Sequence, residues 1–104
     1  MATDSNKVTK VFMEDKDQVF QKCLSAISNC GYSVEKTDVE YGVITCIVYN
    51  LSKQPCFRLK CTILSDGNST KCSISTDEVL QGLPILDKWF HMSKPYSQKI
   101  LEKM

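Results

Sequence analysis

The chain has 104 residues, of which 42% are hydrophobic, and this supply of apolar side chains suits the core of one domain. Its 13 Lys and Arg residues nearly balance its 12 Asp and Glu residues, so no net field attracts it to a polyanion and we expect no nucleic-acid partner. No apolar stretch has the length of a transmembrane helix or the pattern of a signal peptide, which predicts a cytoplasmic protein.

Two elements are predicted first along the chain, a strand and a helix. Residues 1–6 are small and polar, which predicts a disordered N-terminus, and residues 7–13 have the composition of a strand that can be buried on both sides. A helix is predicted over residues 15–30, because Asp15 can cap its first turn and Gly31 can end it. Apolar side chains share one face of this helix, namely Val19, Phe20, Cys23, Leu24, Ala26, Ile27 and Cys30.

Three further strands are predicted from period-two patterns. They cover residues 32–35, residues 43–49, which are apolar on both faces, and residues 56–64. In the last of these strands, one face is apolar and the other is expected to face solvent: Phe57, Leu59, Cys61 and Ile63 alternate with Arg58, Lys60 and Thr62.

A hairpin leads from this strand into a final strand, TKCSIST. The dipeptide Asp66-Gly67 suits the centre of a two-residue turn, and a turn there places Cys61 opposite Cys72. A turn centred one residue later places Cys61 opposite Ile74 instead. We prefer the first arrangement.

A C-terminal helix is predicted to begin near Pro84 and to continue through Pro95, because the apolar phase is the same on both sides of Pro95. Its apolar face carries Ile85, Leu86, Trp89, Phe90, Met92, Tyr96, Ile100, Leu101 and Met104. These side chains can pack on the sheet. The width of the stripe also leaves Trp89, Phe90 and Tyr96 as candidates for binding a protein partner or an apolar ligand.

The order of elements, β-α-β-β-β-β-α, predicts one α+β domain over residues 7–104, with two layers and an antiparallel sheet of four or five strands. His91 and Asp87 have the i, i+4 spacing of an ordinary solvated helical pair, and the four glycines are isolated, so we expect neither a catalytic site nor a phosphate-binding loop. The chain is therefore expected not to be an enzyme.

Six cysteines are spread along the chain without a CxxC pair, and one histidine accompanies them. Zinc sites use closely spaced ligand pairs, so this spacing argues against a metal, and we expect no cofactor. Most of the cysteines lie in apolar segments, where cysteine behaves as a small hydrophobic residue. We expect free thiols and a reducing compartment.

The strand alternation also predicts a basic face. Arg58, Lys60 and Lys71 project from the wet side of the last hairpin among hydroxyl side chains, which makes them candidate anion-binding residues. Solvated strand faces commonly carry Lys and Arg for solubility and to discourage edge pairing, which is the alternative.

Residues 11–48 resemble the small βαββ domains of bacterial envelope lipoproteins of the BamC type. The resemblance lies in an acidic helix start, a glycine and aromatic helix end and a "D..E.G.I" turn, formed here by Asp15, Gly31, Tyr32, Asp38, Glu40, Gly42 and Ile44. Those domains are binding or assembly modules without catalysis. The resemblance implies the same role, and an envelope location for a chain whose export signal lies outside this sequence.

The whole-chain order is similar to the kinase-associated domain found at the ends of some protein kinases. That resemblance implies binding of anionic phospholipids through Arg58, Lys60 and Lys71. The sequence thus predicts a non-catalytic binding or assembly module with a protein partner. The alternative is a membrane-surface module that binds anionic phospholipid through a basic sheet face.

Overall fold

A computed structural model describes residues 7–49, 52–80 and 86–104, without the side chains of residue 79 and residues 86–94. The predicted disordered N-terminus, residues 1–6, lies outside the described residues. The elements in chain order are β1 Val8–Phe12, α1 Lys16–Asn29, β2 Ser33–Asp38, β3 Val43–Tyr49, β4 Pro55–Asp66, β5 Ser69–Val79 and α2 Leu86–Lys103. This order confirms the predicted α+β fold.

The strands form one five-stranded antiparallel sheet in the order β1-β5-β4-β3-β2. Side chains from α1 and α2 share one apolar cluster with alternate residues of the strands, so both helices pack on the same face of the sheet. We call the opposite side of the sheet the open face. Within the described part of the chain the domain therefore has two layers, as predicted.

Both ends of α1 are set by local signals. The Asp15 carboxylate accepts a hydrogen bond from the Gln18 backbone N–H at 2.9 Å, which caps the first turn. At the other end, Gly31 has a φ of +82°, and the Tyr32 backbone N–H donates back to the Ile27 carbonyl at 3.2 Å. These bonds form the glycine-ended helix stop that the sequence predicts.

Burial on both sides of β1 is a prediction that the structure corrects. Val8 and Phe12 are buried against the helices, whereas Val11 and Met13 are 55% and 79% exposed. β1 is an edge strand, and the helices cover only one face of the sheet, so its other side stays in water.

The turn between β4 and β5 lies one residue later than the arrangement that the sequence analysis preferred, which was centred on Asp66 and Gly67. Asp66 pairs with Ser69, so Gly67 and Asn68 occupy the two central positions. Gly67 has a φ of +66°, and Asn68 does not have a positive φ. A turn with glycine first needs one left-handed residue, whereas a turn centred on Asp66 and Gly67 would need two.

The later turn sets the register of the whole hairpin. Cys61 lies opposite Ile74, and Cys72 lies opposite Ile63, so the predicted pairing of Cys61 with Cys72 is wrong. Both cysteines still lie on the core side, because the two registers differ by two residues. All six cysteines are free thiols, as expected.

Helix α2 continues without a break through Pro95, which confirms one helix rather than two. Ser97, Ile100 and Leu101 are buried against the sheet and α1. The predicted start near Pro84 lies outside the described residues. Among the described helices, none combines the length and apolarity that crossing a bilayer requires.

Candidate anion-binding face

A row of cations and hydroxyls crosses the open face. Lys36 on β2 pairs with Thr45 on β3, which pairs with Lys60 on β4, which in turn pairs with Ser75 on β5. Residues in register across a sheet project on the same side, so the two lysines flank Thr45. The row is a consequence of strand register and not of nearness in sequence.

The two lysines share a shallow groove of about 310 Å³. Adjacent strands lie about 4.8 Å apart, so the backbones of Lys36 and Lys60, two strands apart, are separated by about 10 Å. Flexible four-carbon stems let both ammonium groups reach one small anion between them. Among the described residues, neither lysine takes part in an ion pair. Tyr41 and Val43 line the same groove and give it an apolar end, and the Asp38 carboxylate lines it as well.

Arg58 lies on the open face, but it already forms ion pairs with two carboxylates. Its Nε and one terminal nitrogen bind the two Glu35 carboxylate oxygens at 2.7 and 3.0 Å, a bidentate pair. Its other terminal nitrogen pairs with Glu78. The arginine thus joins β2 and β5 across the sheet, and two carboxylates neutralise the charge that was predicted to bind an anion.

The ion pair between Arg58 and Glu35 shifts the pKa of both side chains. The Arg58 hydrogen bonds hold the pKa of the Glu35 carboxyl below its usual value, and Glu35 in turn raises the pKa of Arg58. Arg58 also lies directly opposite Ile47, a side chain on the open face that is only 8% exposed. The arginine therefore fits a structural role on this face.

Lys71, the third predicted cation, lies on the open face away from the row. It pairs with Leu64 on β4 and Val11 on β1. Four residues separate it from Ser75, the β5 member of the row, which is about 13 Å along the strand. The structure therefore brings Lys60 beside Lys36 and not beside Lys71.

The sequence analysis did not identify Lys36 as a candidate anion-binding residue, because the predicted strand stops before it. The alternation from Tyr32 onward predicts a strand over residues 32–35, whereas β2 runs to Asp38. A bulge between Val34 and Lys36 inserts one residue and shifts the phase, so that Lys36 reaches the open face. The β-branched Thr37 within the polar stretch was the one available signal.

Of the predicted partner-binding aromatics, Tyr96 is described, and it packs on two other rings while 36% of it remains exposed. Its ring lies 6.2 Å from that of Tyr32 and 5.7 Å from that of Phe57, in edge-on and tilted arrangements. The side chains of Trp89 and Phe90 lie outside the described residues. Tyr96 therefore contacts the sheet through Phe57 and stays partly exposed, so its role in binding a partner remains a prediction.

Comparison of the chain with known proteins does not assign a function to this face. No known protein family matches the chain, and no similar curated protein is found. The resemblances to BamC-type envelope domains and to the kinase-associated domain therefore stay predictions.

Proposed function

We propose that this chain is a non-catalytic binding module whose open sheet face holds an anionic group between Lys36 and Lys60. The observation that carries the proposal is the cross-strand row in which the two lysines flank Thr45. Phosphate and carboxylate groups are the ligand classes that such a site recognises.

Electrostatics favour an anion at this position. Lys36 and Lys60 lie two strands apart with Thr45 between them, and their like charges repel one another. The groove also contains one carboxylate, Asp38, which accepts a hydrogen bond from the Tyr41 backbone N–H. A bound anion removes the repulsion and accepts hydrogen bonds from both ammonium groups. The Thr45 hydroxyl supplies a third donor beneath them.

The shape of the site indicates how the anion is presented. The groove is shallow and lies on a sheet surface, so it suits an anionic group carried by a larger partner. Lysine binds such a group as a point charge on a mobile stem and imposes little orientation. We therefore expect modest affinity for a free anion and a strong dependence on salt.

Titration with inorganic phosphate tests the site, with backbone amide shifts recorded by NMR. We expect the largest shifts at Thr45 and its strand neighbours in the parent protein, and their loss in Lys36→Gln/Lys60→Gln. Lys71→Gln is the matched control, because it removes the same charge from the same face away from the row. Shifts that disappear equally in both variants would show diffuse attraction and contradict a defined site.

A membrane surface is the second candidate, and two exposed side chains favour it. Val39 and Tyr41, in the turn between β2 and β3, are 63% and 68% exposed, and Tyr41 lines the groove shared by the lysines. Aromatic side chains beside cations are typical of residues at a membrane interface. In this case the anion is a phospholipid headgroup.

Vesicle sedimentation separates the two candidates. If the partner is a membrane, the protein pellets with phosphatidylserine vesicles and not with neutral ones, and salt releases it. Each basic residue near such a surface contributes about 1 kcal/mol, so we expect Lys36→Gln and Lys60→Gln each to weaken binding by roughly fivefold. Phosphate-induced shifts without vesicle binding would reject the membrane and retain the anion site.

A further inference from the structure

Strand β1 forms one edge of the sheet. Its inner side pairs with β5 without a bulge, from Val8 opposite Ile74 to Phe12 opposite Thr70. In an antiparallel pair only alternate residues direct their N–H and C=O groups at the partner strand, so the other backbone groups of β1 point outward. Among the described residues, none forms a backbone hydrogen bond with these groups. The outer side of β1 is therefore a row of available donors and acceptors.

The opposite edge of the sheet, strand β2, is irregular. It carries a bulge between Val34 and Lys36, and a bulge interrupts the regular spacing that an added strand needs. Lysine side chains also protect sheet edges, but the Lys10 ammonium turns toward α2, where it donates to the Leu101 carbonyl oxygen at 3.4 Å. Of the two edges, β1 is therefore the one suited to accept a strand.

A groove of about 530 Å³ lies beside this edge. Thr9 projects on the open face, whereas Leu101 belongs to α2 on the helix side, and both line the groove. The groove therefore follows the outer side of β1, with the last turns of α2 as one wall. Its lining residues are Lys7, Val8, Thr9, Gln98, Leu101 and Glu102.

The charge of the edge indicates the chemistry of its partner. Residues 7–12, KVTKVF, contain two lysines and no carboxylate. Opposite charges at opposed positions stabilise an antiparallel pair, and like charges destabilise it. A second copy of β1 would add further lysines to the edge, whereas an acidic segment would complement those already there.

Two positions on the helix side specify the segment further. Val8 and Leu101 are nearly buried and line the groove, so the position opposite Val8 suits an apolar side chain. The position opposite Lys10 suits a carboxylate, because the ammonium group has three donors and gives one to the Leu101 carbonyl. An antiparallel strand runs in the reverse direction, so the segment reads acidic, any residue, apolar.

We propose that the outer edge of β1 is a docking site for an extended acidic segment of a partner protein, which joins the sheet as an antiparallel strand beside α2. In this mode of recognition, main-chain hydrogen bonds supply affinity and alternate side chains supply specificity. The inference is independent of the proposed anion site, because that site uses side chains of β2, β3 and β4 on the open face, whereas docking uses the backbone of β1.

Two synthetic peptides of the same composition test the site on the full chain. Acetylated STVETLE places glutamate opposite Lys10 and leucine opposite Val8, and STVLTEE exchanges these two side chains. We expect amide shifts centred on β1, slower hydrogen exchange at its alternate amides, and binding of STVETLE about fivefold tighter than that of STVLTEE. Equal affinities, or shifts centred on another strand, would overturn the proposal.

Peptide methylation distinguishes backbone pairing from simple charge attraction. Alternate N–H groups of a bound strand face β1, so N-methylation of one alternate set in STVETLE should abolish binding and methylation of the other set should leave it within about threefold. Both peptides keep the same side chains and charge. If the two methylated peptides bind equally, the segment does not pair with the strand edge and the proposal fails.

A charge exchange tests the register. Lys10 is exposed, so Lys10→Glu should fold, bind STVETLE more than fivefold more weakly and recover affinity for STVKTLE. Lys99→Gln is the control, because it removes a charge from α2 outside the groove. If Lys10→Glu does not fold, the methylated peptides decide on the parent chain. A free chain that dimerises through β1, or whose own residues already protect the edge amides, would overturn the proposal.

Discussion

Gly42 and Ile63 are in contact through their backbones: the Ile63 N–H donates to the Gly42 carbonyl oxygen at 2.7 Å. Gly42 has a φ of +68°, and a Cβ at this position would overlap the Ile63 carbonyl oxygen and approach Lys16 Cε to 2.8 Å. The turn between β2 and β3 is thereby held against β4 at a point where only glycine fits.

Gly42→Ala is therefore expected to cost more than about 2 kcal/mol of unfolding free energy, measured by urea denaturation. The left-handed conformation alone costs about 1–2 kcal/mol with a Cβ, and the backbone overlap adds to it. Gly31→Ala is the control, because Gly31 also has a positive φ but has open space around its Cβ position. Equal losses in the two variants would contradict the tight contact.

The Arg58–Glu35 pair predicts a pH dependence. Because the folded-state pKa of Glu35 lies below its ordinary value of 4.5, the pair stabilises the fold above that pH and loses its effect as the pH falls through the lowered pKa. Glu35→Gln should lower the urea midpoint at pH 7. The difference from the parent should disappear in strong acid, and a difference that grows on acidification would contradict the assignment.

The hairpin turn predicts a difference between two adjacent residues. Gly67→Ala should cost about 1–2 kcal/mol, because its φ of +66° is strained for alanine. Asn68→Ala should change stability by less than about 0.5 kcal/mol, since Asn68 is exposed and has no positive φ. Thermal unfolding of both variants provides the comparison, and a larger loss at Asn68 would indicate a different turn.

Ile100 tests whether α2 belongs to the folded core. Ile100→Ala should lose about 2–5 kcal/mol, because the side chain is 0% exposed and its removal leaves a cavity between α2 and the sheet. Lys99→Ala, at the exposed neighbouring position, should stay within about 0.5 kcal/mol of the parent. If both variants unfold at the parent's urea midpoint, α2 contributes little to the core.

Features governed by local signals could be predicted from sequence. The helix cap at Asp15 and the stop at Gly31 act through atoms within a few residues, so the limits of α1 agree with the prediction. The period-two pattern likewise identified the buried side of β4. The hairpin register was harder, because Asp66-Gly67 and Gly67-Asn68 both satisfy the local rules and place the same residues inside.

The candidate site depends on contacts that sequence patterns do not contain. Alternation along one strand puts Lys60 on the open face, but Lys36 reaches it only through the bulge in β2. The neutralisation of Arg58 needs Glu35 and Glu78, which lie 23 and 20 residues away in the chain. Such pairings become visible only when the order and register of the strands are known.

The position of β1 beside β5 has a consequence for synthesis on the ribosome. Strand β1 leaves the exit tunnel early, yet its partner follows much later, since Thr9 and Ser73 are 64 residues apart. Closing a loop of that length costs roughly 4 kcal/mol of chain entropy, so this pairing depends on the β2–β5 meander being in place first. Until β5 emerges, the nascent chain carries an unpaired β1 segment, and this is the interval in which a chaperone has a strand to hold.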